Sequence, residues 1–352
     1  MSSNTIAEAR RQIEICNACR YCEGYCAVFP RINLQRSFSD GEVTQLANLC
    51  HNCRGCYYAC QFVPPHEYAI NLPGILAEVR QDSWDRYAWP GFLLRWFNGN
   101  AMTTVISLIV FIGLFIGLIQ AFPPASGEGF YALMSHTLMV TVFLPAFILP
   151  LVAIFVGVRS YWRDVGGQPL RWAHLKSALS AAGKMKNLDG GHGKGCNFED
   201  ADRFSNARRH CHQATLWGFL LCFAATSVAT VMHYFLNLPA PYPLLSLPKL
   251  LGLTGGLLLC SGTAGLVWLK TRADRELGAA KHWASEIAFV LLLFFVSATG
   301  LILYMATGPD WAGFWLSIHL ASVLTLFLLM PYSKMVHGFF RLAALCRNAQ
   351  KI

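Results

Sequence analysis

Charged residues are scarce in this sequence. Of 352 residues, 13% are Asp, Glu, Lys or Arg and 55% are apolar, which excludes an ordinary soluble globular protein. Six stretches contain no charged residue, and each is long enough to cross a hydrocarbon core of ~30 Å as a helix. They predict six membrane spans, at residues 102–122, 136–158, 214–236, 250–270, 285–306 and 314–334.

Motifs that would give the chain substrate chemistry of its own are also missing. No nucleotide-binding motif and no pair of acid/base residues is recognisable. The glycine-rich stretch 190–196 matches neither the P-loop nor the dinucleotide-binding pattern, and we interpret it as a docking loop. Residues 1–15 are polar and amphipathic, so they do not resemble a cleavable signal peptide.

Basic residues are distributed unevenly over the loops. The loops at 123–135 and 307–313 contain neither Lys nor Arg, whereas the loops after spans two and four and the C-terminal segment are rich in both. The positive-inside rule then places both termini in the cytoplasm, as expected for a multi-pass protein of the bacterial inner membrane that contacts lipid. The formal net charge of +9 is therefore a topology signal, and we predict no nucleic-acid partner.

Eight of the 13 cysteines form two copies of one motif, C-x2-C-x2-C-x3-C, ahead of the first span. This spacing is typical of ligands for two [4Fe–4S] clusters, where the fourth cysteine of each motif binds the other cluster. Structural zinc favours separated Cys-x2-Cys pairs, and disulfides require an oxidising compartment, so both alternatives are weaker. We name the two crossed groups the cluster-1 set, Cys16, Cys19, Cys22 and Cys60, and the cluster-2 set, Cys50, Cys53, Cys56 and Cys26.

Histidines in the predicted membrane region are candidate haem ligands, because imidazoles are rare in a bilayer and usually functional there. His319 and His337 are about five helical turns apart on span six and its extension, so they point to the same side. His212 and His233 bracket span three, which runs antiparallel to span six. We therefore expect His233 to meet His319 near the outer leaflet. Near the cytoplasmic face, His212 is expected to meet His337, and a facing pair can bind the iron of haem b.

Three further histidines are alternatives in these pairs. His136, at the outer start of span two, and His282, at the inner start of span five, are possible substitutes. His210 competes with His212, because only one residue separates the two in the chain. One or two haems are therefore predicted.

These features together predict an all-α fold. Residues 1–100 are expected to form a helical two-cluster ferredoxin domain, because no β-hairpin alternation separates the motifs. Ser39 followed by Glu42 predicts a capping box for a helix that leads into the second motif. Residues 101–340 are expected to form a six-helix, b-type cytochrome-like transmembrane bundle, followed by a cytoplasmic tail over 341–352.

The assembled pattern resembles the citrate/tricarballylate utilisation protein B family over the whole chain. The resemblance rests on the two cysteine motifs, on residues 212–224 and on residues 330–337. The last stretch, preceded by His319, is also similar to the b-type cytochrome subunit of respiratory nitrate reductases, where both corresponding histidines ligate haem. The family comprises membrane partners of an FAD-dependent tricarballylate dehydrogenase.

The resemblance implies a function. The soluble flavoprotein oxidises tricarballylate to cis-aconitate, and a protein like this one takes electrons from its reduced FAD through two clusters and haem b to membrane quinone. Such an oxidoreductase component performs no substrate chemistry itself. The alternative is a quinol dehydrogenase that passes electrons the other way, to a cytoplasmic reductase. A redox-gated sensor or transporter is a third hypothesis, which lacks support because no inverted repeat is recognisable.

Overall fold

The chain folds almost entirely into helices. Among the residues described, β-type backbone pairing is limited to an isolated bridge between Cys196 and Ser205. The prediction of an all-α fold is therefore confirmed. Residues 98–100, at the predicted domain boundary, and 351–352, at the end of the predicted tail, lie outside the described residues. The structure is a computed structural model that describes residues 3–97, 101–122, 129–199, 203–306 and 309–350.

Six helices precede the first span. They are α1 Ser3–Cys19, α2 Val28–Asn33, α3 Asp40–Leu49, α4 Gly55–Tyr58, α5 Leu72–Tyr87 and α6 Gly91–Phe97. The capping box predicted for α3 is present: Glu42 N–H donates to the Ser39 hydroxyl at 3.3 Å, and Ser39 N–H donates to the Glu42 carboxylate at 3.0 Å. Ile13 of α1, Leu46 of α3 and Leu76 of α5 share one hydrophobic core, which fixes the loops between these helices.

Among the described residues, six helices are long and apolar enough to cross a membrane, and they overlap the six predicted spans. They are α7 Ala101–Ala121, α8 His136–Asp164, α10 Ala207–Phe235, α11 Leu247–Arg272, α12 Trp283–Met305 and α13 Pro309–Leu329, with the shorter α9 Trp172–Gly183 and α14 His337–Ala349 outside them. A helix satisfies its own backbone hydrogen bonds, as a lipid environment requires. α8 and α10 extend beyond their apolar stretches, so they reach the N-terminal domain directly.

Span six does not continue as one helix to His337. Two 3₁₀ turns, Met330–Tyr332 and Lys334–Val336, separate α13 from α14. Pro331 lacks the N–H that a continuing α-helix needs at this position. The five-turn phase relation expected between His319 and His337 therefore does not exist in this fold.

The C-terminal segment is part of the folded N-terminal domain. α14 places Leu345 and Cys346 in the core that α1, α3 and α5 form. The Gln45 amide donates to the Ala344 carbonyl at 2.8 Å, and the Tyr161 hydroxyl donates to the Gln45 oxygen at 2.6 Å. The described part of the predicted tail, residues 341–350, is therefore packed on the N-terminal domain through the apolar face of α14.

α10 and α11 approach each other closely through glycines. A Cβ on Gly218 would lie 2.5 Å from the backbone nitrogen of Leu259 and 2.8 Å from the carbonyl oxygen of Gly255. Small residues allow membrane helices to come this close. By contrast, α10 meets α8 through long side chains, such as Phe147 and Phe223, whose ring centres are 5.9 Å apart. The helix is therefore held tightly on one side only.

We expect Gly218→Ala to destabilise the protein by about 1–3 kcal/mol, because the added methyl group overlaps the backbone of α11. Gly117→Ala in α7 is the matched control, since no atom lies within 4 Å of its added Cβ. Thermal unfolding of the purified protein in detergent measures both variants. A melting temperature for Gly218→Ala equal to that of the wild type would contradict the close approach of α10 and α11.

Candidate functional site

The two cysteine motifs form loops with a shared backbone feature. In each loop the residue after the second cysteine is an arginine with a left-handed backbone, φ 57° at Arg20 and φ 68° at Arg54. This region is unfavourable for residues other than glycine, so its recurrence indicates loops bent in the same way. In the second loop, the Asn52 N–H donates to the sulfur of Cys50 at 3.4 Å.

The thiols of the cluster-1 set are neighbours. Burial, followed by the charges of three nearby thiols, raises the pKa of Cys16 to about 12. In order of decreasing effect, these thiols are Cys60, Cys22 and Cys19. Burial and then Cys60 likewise raise the pKa of Cys22 to about 12. The cysteine from the second motif is therefore the strongest electrostatic neighbour of both.

The thiols of the cluster-2 set also lie close enough to affect one another's pKa values. A hydrogen bond donated to Cys53, together with burial, holds the pKa of Cys26 well above its usual value. The charges of three thiols act in the same direction, in the order Cys53, Cys50 and Cys56. The hydrogen bond from Cys26 is the main reason that the pKa of Cys53 is lowered to about 7. The last cysteine of the first motif thus lies among the cysteines of the second.

The arrangement fits iron–sulfur clusters better than single metal ions. Within the described ranges, no three His, Cys, Asp or Glu side chains converge closely enough to bind one ion. A cluster spreads its thiolates around a cube of iron and sulfide, so its ligands need not converge on one point. A cavity of about 250 Å³ lies beside the thiols, and its lining includes Cys16, Cys19, Cys22, Cys56 and Cys60.

The two sets differ in exposure. Cys19 of the cluster-1 set is exposed, whereas Cys50 and Cys53 are 9% and 7% exposed. The segment after α9 covers the second motif: Asn197 N–H donates to the Cys53 carbonyl at 2.9 Å, and the buried Cys196 packs beside Cys53. The glycine-rich stretch that we interpreted as a docking loop is therefore packed on both motifs: Gly191 lies against Tyr25 of the first, and Cys196 against Cys53 of the second.

Three arginines from separate parts of the chain converge on the second motif, and we name Arg80, Arg208 and Arg341 the arginine group. Arg80 Nη1 in α5 and Arg341 Nη2 in α14 each donate to the Cys50 carbonyl at 2.8 Å. Arg208 Nη1, in the first turn of α10, donates to the Asn52 carbonyl at 2.7 Å. Sequence reasoning missed these residues, because only the folded chain brings three distant arginines to one loop.

The arginine group has no carboxylate of its own. In the part of the chain that the structure describes, none of its members forms an ion pair with Asp or Glu. Glu286, whose charge reaches Arg80, is already paired with two lysines. Burial and then the charge of Arg80 lower the pKa of Arg341 to about 9, while the Cys50 thiolate opposes this shift. Arg80 and Arg341 therefore both lie against Cys50.

Two of the predicted haem ligands lie side by side where the bundle meets the N-terminal domain. The ring centres of His212 and His337 are 5.9 Å apart, with the ring planes at 71°. His337 Nδ1–H donates to the Lys334 carbonyl, which leaves Nε2 with the lone pair that a metal needs. His212 Nδ1 is buried and has no hydrogen-bond partner among the residues described. A metal bonded at about 2 Å to one nitrogen of each ring would hold the ring centres roughly 6 Å apart, so this pair fits axial ligation.

The outer histidines are arranged differently from the prediction. His233 stacks on His136, with ring centres 4.3 Å apart and ring planes at 15°, and not on His319. His319 lies against α12, with Nδ1 3.2 Å from Thr299 Oγ1. The physical reason is depth: His136 and His233 lie at helix ends, whereas His319 lies about 15 Å inside α13. Two stacked rings present their faces to each other, so the His136–His233 pair as it stands does not fit an iron between ring nitrogens.

The other two alternative histidines are not beside another histidine in the described structure. His210 is exposed on α10, on a different face from His212. His282 precedes α12, where its carbonyl accepts a hydrogen bond from Ser285 Oγ at 2.8 Å. The geometry therefore favours His212 over His210 as the neighbour of His337.

Comparison with known proteins gives the family. Residues 9–85 match the family described as Citrate utilization protein B Fer4-like domain, and residues 98–351 match the family described as Citrate utilization protein B. The Escherichia coli protein Citrate utilization protein B is 43% identical over 349 residues, which cover 97% of this chain and 92% of that protein. No solved structure matches the chain. The chain therefore belongs to the citrate utilization protein B family.

Proposed function

We propose that this chain reoxidises the reduced FAD of a soluble dehydrogenase and delivers the electrons to membrane quinone. Family membership and the Fer4-like domain support an electron-transfer role in citrate or tricarballylate utilisation. The finer proposal names a tricarballylate dehydrogenase as the partner. The observation that carries it is the crossed grouping of eight thiols, since a pair of such sites serves one-electron transfer and little else.

The chain's own residues would hold the carriers in a fixed order. The cluster-1 set and the cluster-2 set would each bind a [4Fe–4S] cluster, and His212 with His337 would bind the iron of one haem b. When bound, these groups supply centres that accept and release one electron at a time. Reduced flavin releases two electrons and two protons, and quinone takes up two of each, so the overall reaction balances.

Burial supports this use of the residues. The second motif is covered by the segment after α9, which keeps water away from Cys50 and Cys53. The His337 ring is oriented by its hydrogen bond to the Lys334 carbonyl, so its Nε2 position is fixed before a metal binds. The described helices α10 and α14 thus bring a ligand pair to the end of the bundle nearest the thiols.

The cofactor content is the first test. We expect about eight irons and eight acid-labile sulfides per chain, as two [4Fe–4S] clusters require. Because the sets are crossed, Cys60→Ser should remove the same EPR signal as Cys16→Ser, and Cys26→Ser the same signal as Cys50→Ser. Cys346→Ala, a buried cysteine outside both sets, is the control. Four irons or fewer per chain would contradict two clusters, and matching losses for Cys60→Ser and Cys50→Ser would contradict the crossing.

The haem proposal is tested by spectra of the reduced protein. We expect one protohaem per chain by pyridine haemochrome, and loss of the low-spin b-type bands in His212→Ala and in His337→Ala, because each variant lacks one axial nitrogen. His210→Ala is the matched control, two positions away on the same helix and exposed. Unchanged bands in both ligand variants would refute this pair. Two haems per chain, with bands lost in His233→Ala or His319→Ala, would show that the outer histidines also ligate.

The electron-transfer role is tested with the partner protein. Proteoliposomes that contain this chain and quinone should reoxidise substrate-reduced tricarballylate dehydrogenase. The return of the absorbance of oxidised flavin measures this reaction. Cys19→Ser should slow this reoxidation at least about tenfold, because Cys19 is the exposed member of the cluster-1 set. Equal reoxidation by liposomes that lack the chain would overturn the proposed function.

A further inference from the structure

We propose that the arginine group makes the cluster-2 set the higher-potential of the two iron–sulfur sites, and the site from which electrons would pass to a haem held by His212 and His337. This inference rests on the proposed function, and it adds the order of the sites and the residues that set it. It follows from where the chain places positive charge.

Positive charge is distributed unequally between the two sets. Arg80 and Arg341 each donate to the Cys50 carbonyl at 2.8 Å, and Arg208 donates to the Asn52 carbonyl, next to Cys53, at 2.7 Å. The charges that act on the thiols of the cluster-1 set are mainly those of other thiols. Each set offers four cysteine sulfurs as ligands. The difference in nearby positive charge is therefore what distinguishes the two sets.

Nearby cations favour the reduced form of such a site. A thiolate-bound cluster gains one negative charge with each electron, and its potential therefore rises with local positive charge. Burial acts in the opposite direction, because a poorly polarisable environment disfavours extra charge. The arginine group should outweigh burial for two reasons. Its members have no carboxylate in the described structure to neutralise them, and burial strengthens their attraction for the added electron.

The same arginines link the second motif to the haem site. Arg208 precedes His212 by four residues in α10, and Arg341 follows His337 by four residues in α14, so each arginine shares a helix face with one histidine. Arg341 also donates to the Cys50 carbonyl at 2.8 Å. The cluster-2 set is therefore the set that borders the haem site.

The cluster-1 set includes an exposed cysteine. Cys19 is exposed, and the cavity of about 250 Å³ beside the set is lined by Tyr21 and Tyr57, which a soluble partner can approach. Each reduced flavin releases two electrons, which would cross the chain in two single-electron steps, and two protons, which would enter the water. Each step oxidises the donor site by one electron and reduces the next site by one, so no other reactant is needed.

A redox titration followed by EPR tests the order. In purified, cluster-loaded protein we expect two midpoint potentials, with the higher one assigned to the cluster-2 set through the signal that Cys56→Ser alters. Arg341→Gln should lower the equilibrium constant for reduction of that site at least about tenfold, which is ~59 mV for one electron, and leave the other potential unchanged. Arg341→Lys keeps the charge and should retain most of the potential.

Arg31→Gln is the matched control, because Arg31 is also buried, at 7% exposure, but lies in α2 away from the second motif. Iron and sulfide analysis of every sample distinguishes a failure of the proposed function from a failure of the inference about potentials. If the wild type contains no clusters, the proposed function itself fails. If clusters are present and both potentials shift equally, or Arg341→Lys shifts as far as Arg341→Gln, only the inference is overturned. If Arg341→Gln loses iron, Arg208→Gln takes its place with the same expected result.

Discussion

Balancing the charge of the second cysteine motif is the constraint on which the rest of the structure depends. Cys50 and Cys53 are buried, and buried thiolates without compensating charge would be strongly unfavourable. The arginine group supplies that charge from α5, α10 and α14, and its hydrogen bonds reach backbone carbonyls of the same loop. Two of these helices belong to, or directly follow, membrane spans. Charge balance and the attachment of the N-terminal domain to the bundle are therefore achieved by the same side chains.

Within the membrane bundle, α10 packs tightly against one neighbouring helix and loosely against another. Glycines bring α10 against α11 at backbone distance, whereas aromatic rings and histidines separate α10 from α8 and from the start of α14. A separation of this kind would leave room for the haem that we propose His212 and His337 to hold. The His212–His337 pair lies in this separated region, at the end of the bundle where the N-terminal domain attaches.

The parts of the fold that could be predicted from sequence are those fixed by local patterns. The absence of charge defined six spans, and Ser39 with Glu42 defined the start of α3. The predicted pairing of His233 with His319 is not what the structure shows, because helical phase gives direction but neither depth nor the identity of the neighbouring helix. Pro331 ends the regular phase that the pattern assumed. The arginine group could not be found from sequence either, because its members share no local pattern.

A cryo-EM map of the anaerobically purified protein tests the central claim most directly. The account predicts two compact, strong densities, one touched by Cys16, Cys19, Cys22 and Cys60 and the other by Cys26, Cys50, Cys53 and Cys56, and one flat density between His212 and His337. A map in which each motif encloses its own metal with all four of its cysteines, or in which the space between His212 and His337 contains only protein, would contradict it.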